Sequence, residues 1–290
     1  MEKTSVPTLG EPDDWFFPNG NVRVGLGVYD GLSTLVAEKV NVDFLWLSSF
    51  CVSASLGRPD SGVLDASEMA NLVRTVVTTT HYPVVVDMDS GYGDALKVSL
   101  ATRMIEQSGA SAVCIEDNPL VKRSSLYHVD GRTLASIEEH EERIHAARRG
   151  LIAGCRLIAR TEALVAGHGI DEALERAHRY VEAGADAVFV QATKADNGDE
   201  LLEFCSKWGR RTPIFLAPTR YPQLEAKDYT ACGATHWIFA NHAIRAAFRA
   251  MDLTLRQVEN VKTGPVPQLD DQIASVREIA NTLGARAVDG

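Results

Sequence analysis

The chain has 290 residues, is 45% hydrophobic and carries a formal net charge of −10, with acidic and basic residues interspersed. That is enough apolar content for one large core or two smaller ones. No basic stripe or block marks a nucleic-acid surface and no apolar run reaches transmembrane length, so neither nucleic acid nor a membrane is expected as a partner.

Residues 1–21 are polar and rich in Pro, Gly and Asp, without the apolar core of a signal peptide. They read as an N-terminal extension. Short apolar runs that suit strands then follow: Val22–Leu26, Phe44–Leu47, Pro83–Val86, Ala112–Ile115, Arg156–Ala159, Ala187–Val190, Pro213–Ala217 and Thr235–Phe239. Between them lie amphipathic stretches with apolar residues at helical spacing, such as Ser67–Thr80, Ala95–Ser108, Ser136–Arg149, Asp171–Ala183 and Asp199–Trp208. Gly109-Ala110, Gly184-Ala185 and Gly233-Ala234 repeat one device, a Gly closing a helix just ahead of a strand. Strand–helix alternation implies a parallel sheet. The spacing predicts an α/β fold, a (β/α)8 TIM barrel over residues 22–260, with an open doubly wound sheet as the alternative. Asn241–Val261 and Leu269–Leu283 read as helices around the break Thr263-Gly264-Pro265-Val266-Pro267. Residues 261–290 form a C-terminal helical tail that the barrel does not need, suited to packing on a partner subunit.

The five cysteines are scattered and none is paired at metal-ligand spacing. They read as reduced, mostly buried thiols of a cytoplasmic protein.

Barrel active sites sit at the C-terminal ends of the strands. The third strand runs Val84-Val85-Val86-Asp87-Met88-Asp89 into the turn Ser90-Gly91-Tyr92-Gly93. Two Asp residues two apart on a strand point the same way and suit a hard divalent cation, although a solvated turn with two capping carboxylates would look the same. The other ends supply Ser48 and Ser49, Glu116 and Asp117, Arg160 and Glu162, Gln191, Thr219 and Arg220, and Asn241 and His242. Such a rim suits Mg2+, with Mn2+ as a substitute, held partly through water. The cation could take a 2-oxo acid through its carboxyl and keto oxygens and stabilise the enolate, making bonds at C3 labile. Arg160 could clamp a second anionic group or form a salt bridge within the rim. Ser53–Asp65 and Asp117–Leu134, the latter with Lys122-Arg123-Ser124-Ser125 near its middle, are long enough for lids or solvated loops.

Trp46-Leu47-Ser48-Ser49-Phe50, Asp87 to Gly93, Glu116-Asp117 with Lys122, Ala159-Arg160-Thr161-Glu162-Ala163, Pro218-Thr219-Arg220-Tyr221 and Asn241 to Ala246 together resemble the phosphoenolpyruvate mutase/isocitrate lyase superfamily. The resemblance spans Val24 to about Ala250 and looks strongest toward its phosphoenolpyruvate mutase and phosphonopyruvate hydrolase branches. It implies a barrel, Mg2+ dependence, chemistry on a small 2-oxo acid, and a homodimer or homotetramer that exchanges a C-terminal helix. Carried over by position, Trp46 lies in the substrate site, and Ser48 with the backbone of Ser49 and Phe50 holds the substrate carboxylate. Asp87 is the main metal ligand, with Asp60, Asp89 and Glu116 in its water shell. Lys122 and Arg160 meet the phosphoryl group, with Gln191 beside them.

Three positions depart from that pattern. Ser124 stands where mutases have Asn, hydrolases a hydroxyl residue and lyases a catalytic Cys. Asn118 stands where mutases and hydrolases have Lys, and Gln191 where they have His. The resemblance implies action on the P–C bond of phosphonopyruvate or a close 3-substituted pyruvate, with Ser124 favouring hydrolysis over mutation. A C–C lyase or decarboxylase acting on a 2-oxo or 2-hydroxy diacid is the alternative.

Overall fold

The structure is a computed structural model that describes residues 15–18, 22–120, 132–192, 198–209, 212–221, 223–259 and 270–284. Strands β1 (Arg23–Val28), β2 (Phe44–Leu47), β3 (Val84–Asp87), β4 (Ala112–Glu116), β5 (Arg156–Thr161), β6 (Ala187–Val190), β7 (Ile214–Leu216) and β8 (His236–Phe239) pair in chain order. They form a closed barrel. All neighbours are parallel, and Arg23 beside His236 marks where β1 closes on β8. Closure removes the open-sheet alternative and leaves no strand edge.

Helices α1 (Gly31–Ala37), α2 (Ser49–Ser55), α3 (Ala66–Val77), α4 (Ala95–Gln107), α5 (Ile137–Gly150), α6 (Ala163–Ala166), α7 (Ile170–Glu182), α8 (Asp199–Trp208) and α9 (Ala226–Cys232) connect the strands. Polar caps start α3, α4 and α5. Asp94 accepts from the Lys97 amide, Ser136 from the Glu139 amide, and Asp65 forms a reciprocal box with Glu68. Gly184 follows α7 at φ +114°, a conformation that an L side chain would strain, so the predicted helix-to-strand joint is real.

Side chains on alternate strand positions fill the lumen. Trp46 and Phe189 meet edge-to-face with centroids 5.6 Å apart near the C-terminal end. At the other end Trp15 and Phe16, from the stretch ahead of β1, pack on Phe44, Phe215 and His236 and plug the barrel. His236 is fully buried, stacked on Phe215 at 3.9 Å, with Nε2 2.8 Å from the Trp15 carbonyl. A carbonyl only accepts, so Nε2 carries the proton. Burial pushes the imidazole pKa down to about 3. A folded value below the unfolded one of about 6.5 means this stability is present above that pH and lost as pH falls toward 3, by up to about 5 kcal/mol. We expect His236→Gln to flatten acid unfolding between those pH values; an unchanged acid limb would contradict this role.

The tail helices are α10 (His242–Glu259) and α11 (Val276–Thr282), the latter capped by Ser275 and shorter than the expected Leu269–Leu283. The main contacts of α10 are with β1 and α2. No helix among the described residues is long and apolar enough to cross a membrane.

Candidate active site at the barrel mouth

The C-terminal ends of the strands converge on one cleft of about 310 Å³. Trp46, Ser48, Ser49, Phe50, Asp60, Asp87, Glu116, Arg160 and Gln191, all expected from sequence, line it together. Lys122 and Ser124 lie outside the described residues.

Each side chain has a local reason for its place. Ser48 follows β2 and caps α2, accepting from the Cys51 amide at 3.3 Å. Ser49 turns its hydroxyl to the Asp87 carboxylate, Oγ to Oδ2 2.8 Å. Asp60 reaches the cleft from the α2–α3 connection and is buried. The β4 pair splits by strand alternation. Glu116 faces the cleft. Asp117 faces the framework, where it accepts from Thr161 Oγ1 at 2.9 Å, the Glu162 amide at 2.8 Å and Tyr180 at 2.9 Å, and pairs with Arg176 at 3.2 Å. Burial pushes the Asp117 pKa up, against the pull of Arg176 and those donors.

The sequence placed Asp89 beside Asp87 on one strand face. The structure instead ends β3 at Asp87, and Asp89 follows with φ +52°, in the left-handed region. Period-two alternation does not survive that turn; Asp89 lines a neighbouring cavity with Ser90 and Tyr92, while its amide stays 3.4 Å from Asp87 Oδ1. Tyr92 is left-handed too, at φ +67°. Two such residues in one turn store roughly 1–3 kcal/mol each, strain typical of functional sites.

Arg160 is the electrostatic centre. Its Nε donates to Glu162 Oε1 at 2.5 Å and lies 3.5 Å from Glu116 Oε2. Its Nη2 also pairs with Glu162 and donates to Gln191 Oε1 at 2.9 Å. The guanidinium lies 4.8 Å from the Phe189 ring centroid. A guanidinium has no acceptor, so the Gln191 carbonyl must face it and the amide NH2 must face away. Arg160 thus forms the rim salt bridge and also lines the cleft. Burial alone would lower its pKa; Glu162, Glu116 and Asp87 outweigh this and hold it above the ordinary value. Burial pushes Glu162 up to about 7, with Arg160 pulling it down and Glu116 pushing it up.

Sequence reading passed over Phe189 and Arg245 as lining residues, and Arg132 as a buried cation 3.6 Å from Glu162 Oε2. Phe189 lay inside an apolar run, and Arg132 carried no strand-end signal. The buried thiols fit the sequence reading, with burial pushing Cys51 up to about 12 and Cys114 well above its usual value.

The donor set offers hard carboxylate oxygens. No three His, Cys, Asp or Glu side chains among the described residues stand close enough to ligate one ion directly. Mg2+ takes one or two carboxylates and keeps several waters, and the Asp87 and Glu116 carboxylates lining the cleft are donors of that kind.

Fold and cleft together define a (β/α)8 barrel with an acidic, arginine-bearing mouth. A profile described as phosphoenolpyruvate phosphomutase matches residues 19–259. The chain is 35% identical over 273 residues to phosphonopyruvate hydrolase of Variovorax sp. (strain Pal2), covering 92% of this chain and 91% of that one. It is 34% identical over 256 residues to phosphoenolpyruvate phosphomutase of Streptomyces hygroscopicus, covering 88% and 80%. The solved structure of phosphonopyruvate hydrolase with oxalate and Mg2+ superposes with a TM-score of 0.85 at 32% identity, covering 94% of this chain and 93% of that one. The chain belongs to the phosphoenolpyruvate phosphomutase family, within the phosphoenolpyruvate mutase/isocitrate lyase superfamily.

Proposed function

We propose that the protein is a Mg2+-dependent enzyme that breaks the P–C bond of phosphonopyruvate, or the corresponding bond of a close 3-substituted pyruvate. The observation that carries this reading is the gathering of Asp87, Glu116 and Arg160 around one small cleft. Asp87 and Glu116 would hold the cation, with Asp60 and Asp89 reached through water. Bound there, Mg2+ supplies a Lewis acid that stabilises the enolate left when the C3 bond breaks. Ser48 and the first amides of α2 receive the substrate carboxylate. Trp46 and Phe189 floor the cleft and exclude water beneath it. Arg160, together with Lys122, meets the phosphoryl group. The Ser124 hydroxyl favours transfer of the phosphoryl group to water, giving pyruvate and phosphate. Likeness to phosphonopyruvate hydrolase supports this direction.

One observation favours a second reading, cleavage of a C–C bond in a 2-oxo or 2-hydroxy diacid. Arg160 shares its charge with Glu162 and Glu116, while Asn118 and Gln191 are neutral. A singly charged carboxylate at C3 needs less positive charge than a phosphonate dianion. Phosphorus NMR of protein, Mg2+ and phosphonopyruvate separates the two. We expect the phosphonate signal to give way to inorganic phosphate. Unchanged phosphonopyruvate, with pyruvate released from oxaloacetate or a 2-hydroxy diacid, would replace the first reading with the second.

We also propose a homo-oligomer. On α10, Phe248, Met251 and Leu255 are 69%, 53% and 64% exposed on one face. On the barrel, Leu32 and Val36 of α1, which like α10 contacts β1, are each 52% exposed. A second copy would cover both. A monomer in sedimentation equilibrium at micromolar concentration would remove this proposal.

A further inference from the structure

Glu116 is held by a relay that no strand-end reasoning reveals. Its Oε1 accepts from Asn118 Nδ2 at 2.6 Å, and Asn118 Oδ1 accepts from Arg132 Nη2 at 2.6 Å. All three side chains are buried. The direction of the relay is forced by chemistry. A guanidinium can only donate, so the amide oxygen must face Arg132 and the amide NH2 must face Glu116. Arg143 donates to the Asn118 carbonyl at 2.7 Å and fixes the backbone that carries the amide. The same Arg132 lies 3.6 Å from Glu162 Oε2, the carboxylate whose other oxygen aligns Arg160. One guanidinium therefore reaches both walls of the cleft, through a neutral amide on one side and a carboxylate on the other.

We propose that Arg132, acting through Asn118, is a positioning residue that orients the Glu116 carboxylate toward the cation. Without Arg132 the Asn118 amide loses the guanidinium that holds its oxygen away from Glu116. A flipped amide turns oxygen to oxygen against Glu116, and the carboxylate swings to relieve the repulsion. Asn118 without its amide leaves Glu116 without that donor. Outer contacts that orient ligating carboxylates contribute about 10- to 100-fold in metal affinity. The proposal rests on the metal-dependent reading above.

Its test is a double-mutant cycle in Mg2+ affinity, measured by titration calorimetry on the full chain: wild type, Asn118→Leu, Arg132→Met and both together. By charge alone, losing a guanidinium would tighten Mg2+ binding. Positioning predicts the reverse, weaker binding by roughly tenfold or more in either single variant. Because both act along one path, the double variant should be no worse than the poorer single one. Arg132→Lys keeps the charge without the planar fork and should recover only part of the affinity. Should Arg132→Met fail to fold, Asn118→Leu and Arg132→Lys carry the test. Affinities within twofold of wild type, tighter binding in Arg132→Met, or additive losses would overturn the proposal. A wild-type chain that takes up no Mg2+ would overturn the metal-dependent reading itself, an outcome visible before any variant is made.

Discussion

Asp87→Ala is expected to lower turnover by at least ~10³-fold, since Lewis-acid stabilisation supplies several kcal/mol and each 1.36 kcal/mol is tenfold in rate. Asp87 closes β3 at the cleft and is buried there. Its removal also breaks the Ser49–Asp87 hydrogen bond, at a cost of about 0.5–1.5 kcal/mol. Asp87→Asn separates the two effects. An amide oxygen still accepts from Ser49, so thermal unfolding should stay near wild type. The charge that draws the cation is gone, so the loss of turnover should match that of the alanine variant. Substantial turnover in a folded Asp87→Asn protein would refute the assignment of Asp87 as the main ligand.

The second large effect is on stability. Arg160→Leu should destabilise the fold by roughly 3–5 kcal/mol, because it leaves buried carboxylates without their cation. Glu162, nearly enclosed by Arg160 and Arg132, bears most of that loss. The pH dependence has a definite sign. In the wild type burial holds the Glu162 pKa at about 7, above its ordinary value. A raised folded pKa gives stability that is full at low pH and is lost as pH rises through the folded value. Loss of Arg160 pushes the carboxyl higher still, so the variant should lose more stability at pH 8 than at pH 5. Urea unfolding of both proteins at the two pH values reads this directly. Equal losses would mean that Glu162 does not depend on Arg160.

Much of this was legible in the chain because a barrel couples sequence order to space. Consecutive strands lie side by side, so Ser48, Asp87, Glu116, Arg160 and Gln191, each at a strand end, must meet on one rim. Apolar runs gave the strands, and Gly-Ala joints marked where helices hand over to them. What stayed hidden depends on conformation after the strand or on contacts far apart in sequence. The left-handed turn at Asp89 broke the alternation that had placed it beside Asp87. Trp15 and Phe16 looked like part of a polar extension, yet their partners Phe44, Phe215 and His236 come from strands at both ends of the chain. Arg132 sits between a connection and a helix, where no period marks it, and only the fold brings it to Asn118 and Glu162. Asn118 and Gln191 were visible as departures from the family pattern. Their geometry shows how each is used: Gln191 accepts from Arg160, and Asn118 passes the hold of Arg132 to Glu116.

The most direct test of the central claim is calorimetric titration of oxalate, an unreactive analogue of a 2-oxo acid enolate, into the wild-type protein with and without Mg2+. Tight binding in Mg2+, absent with chelator and absent in Asp87→Asn, is the predicted result. Oxalate binding of equal strength with and without Mg2+, or undiminished in Asp87→Asn, would contradict a cation seated at Asp87 as the anchor for substrate.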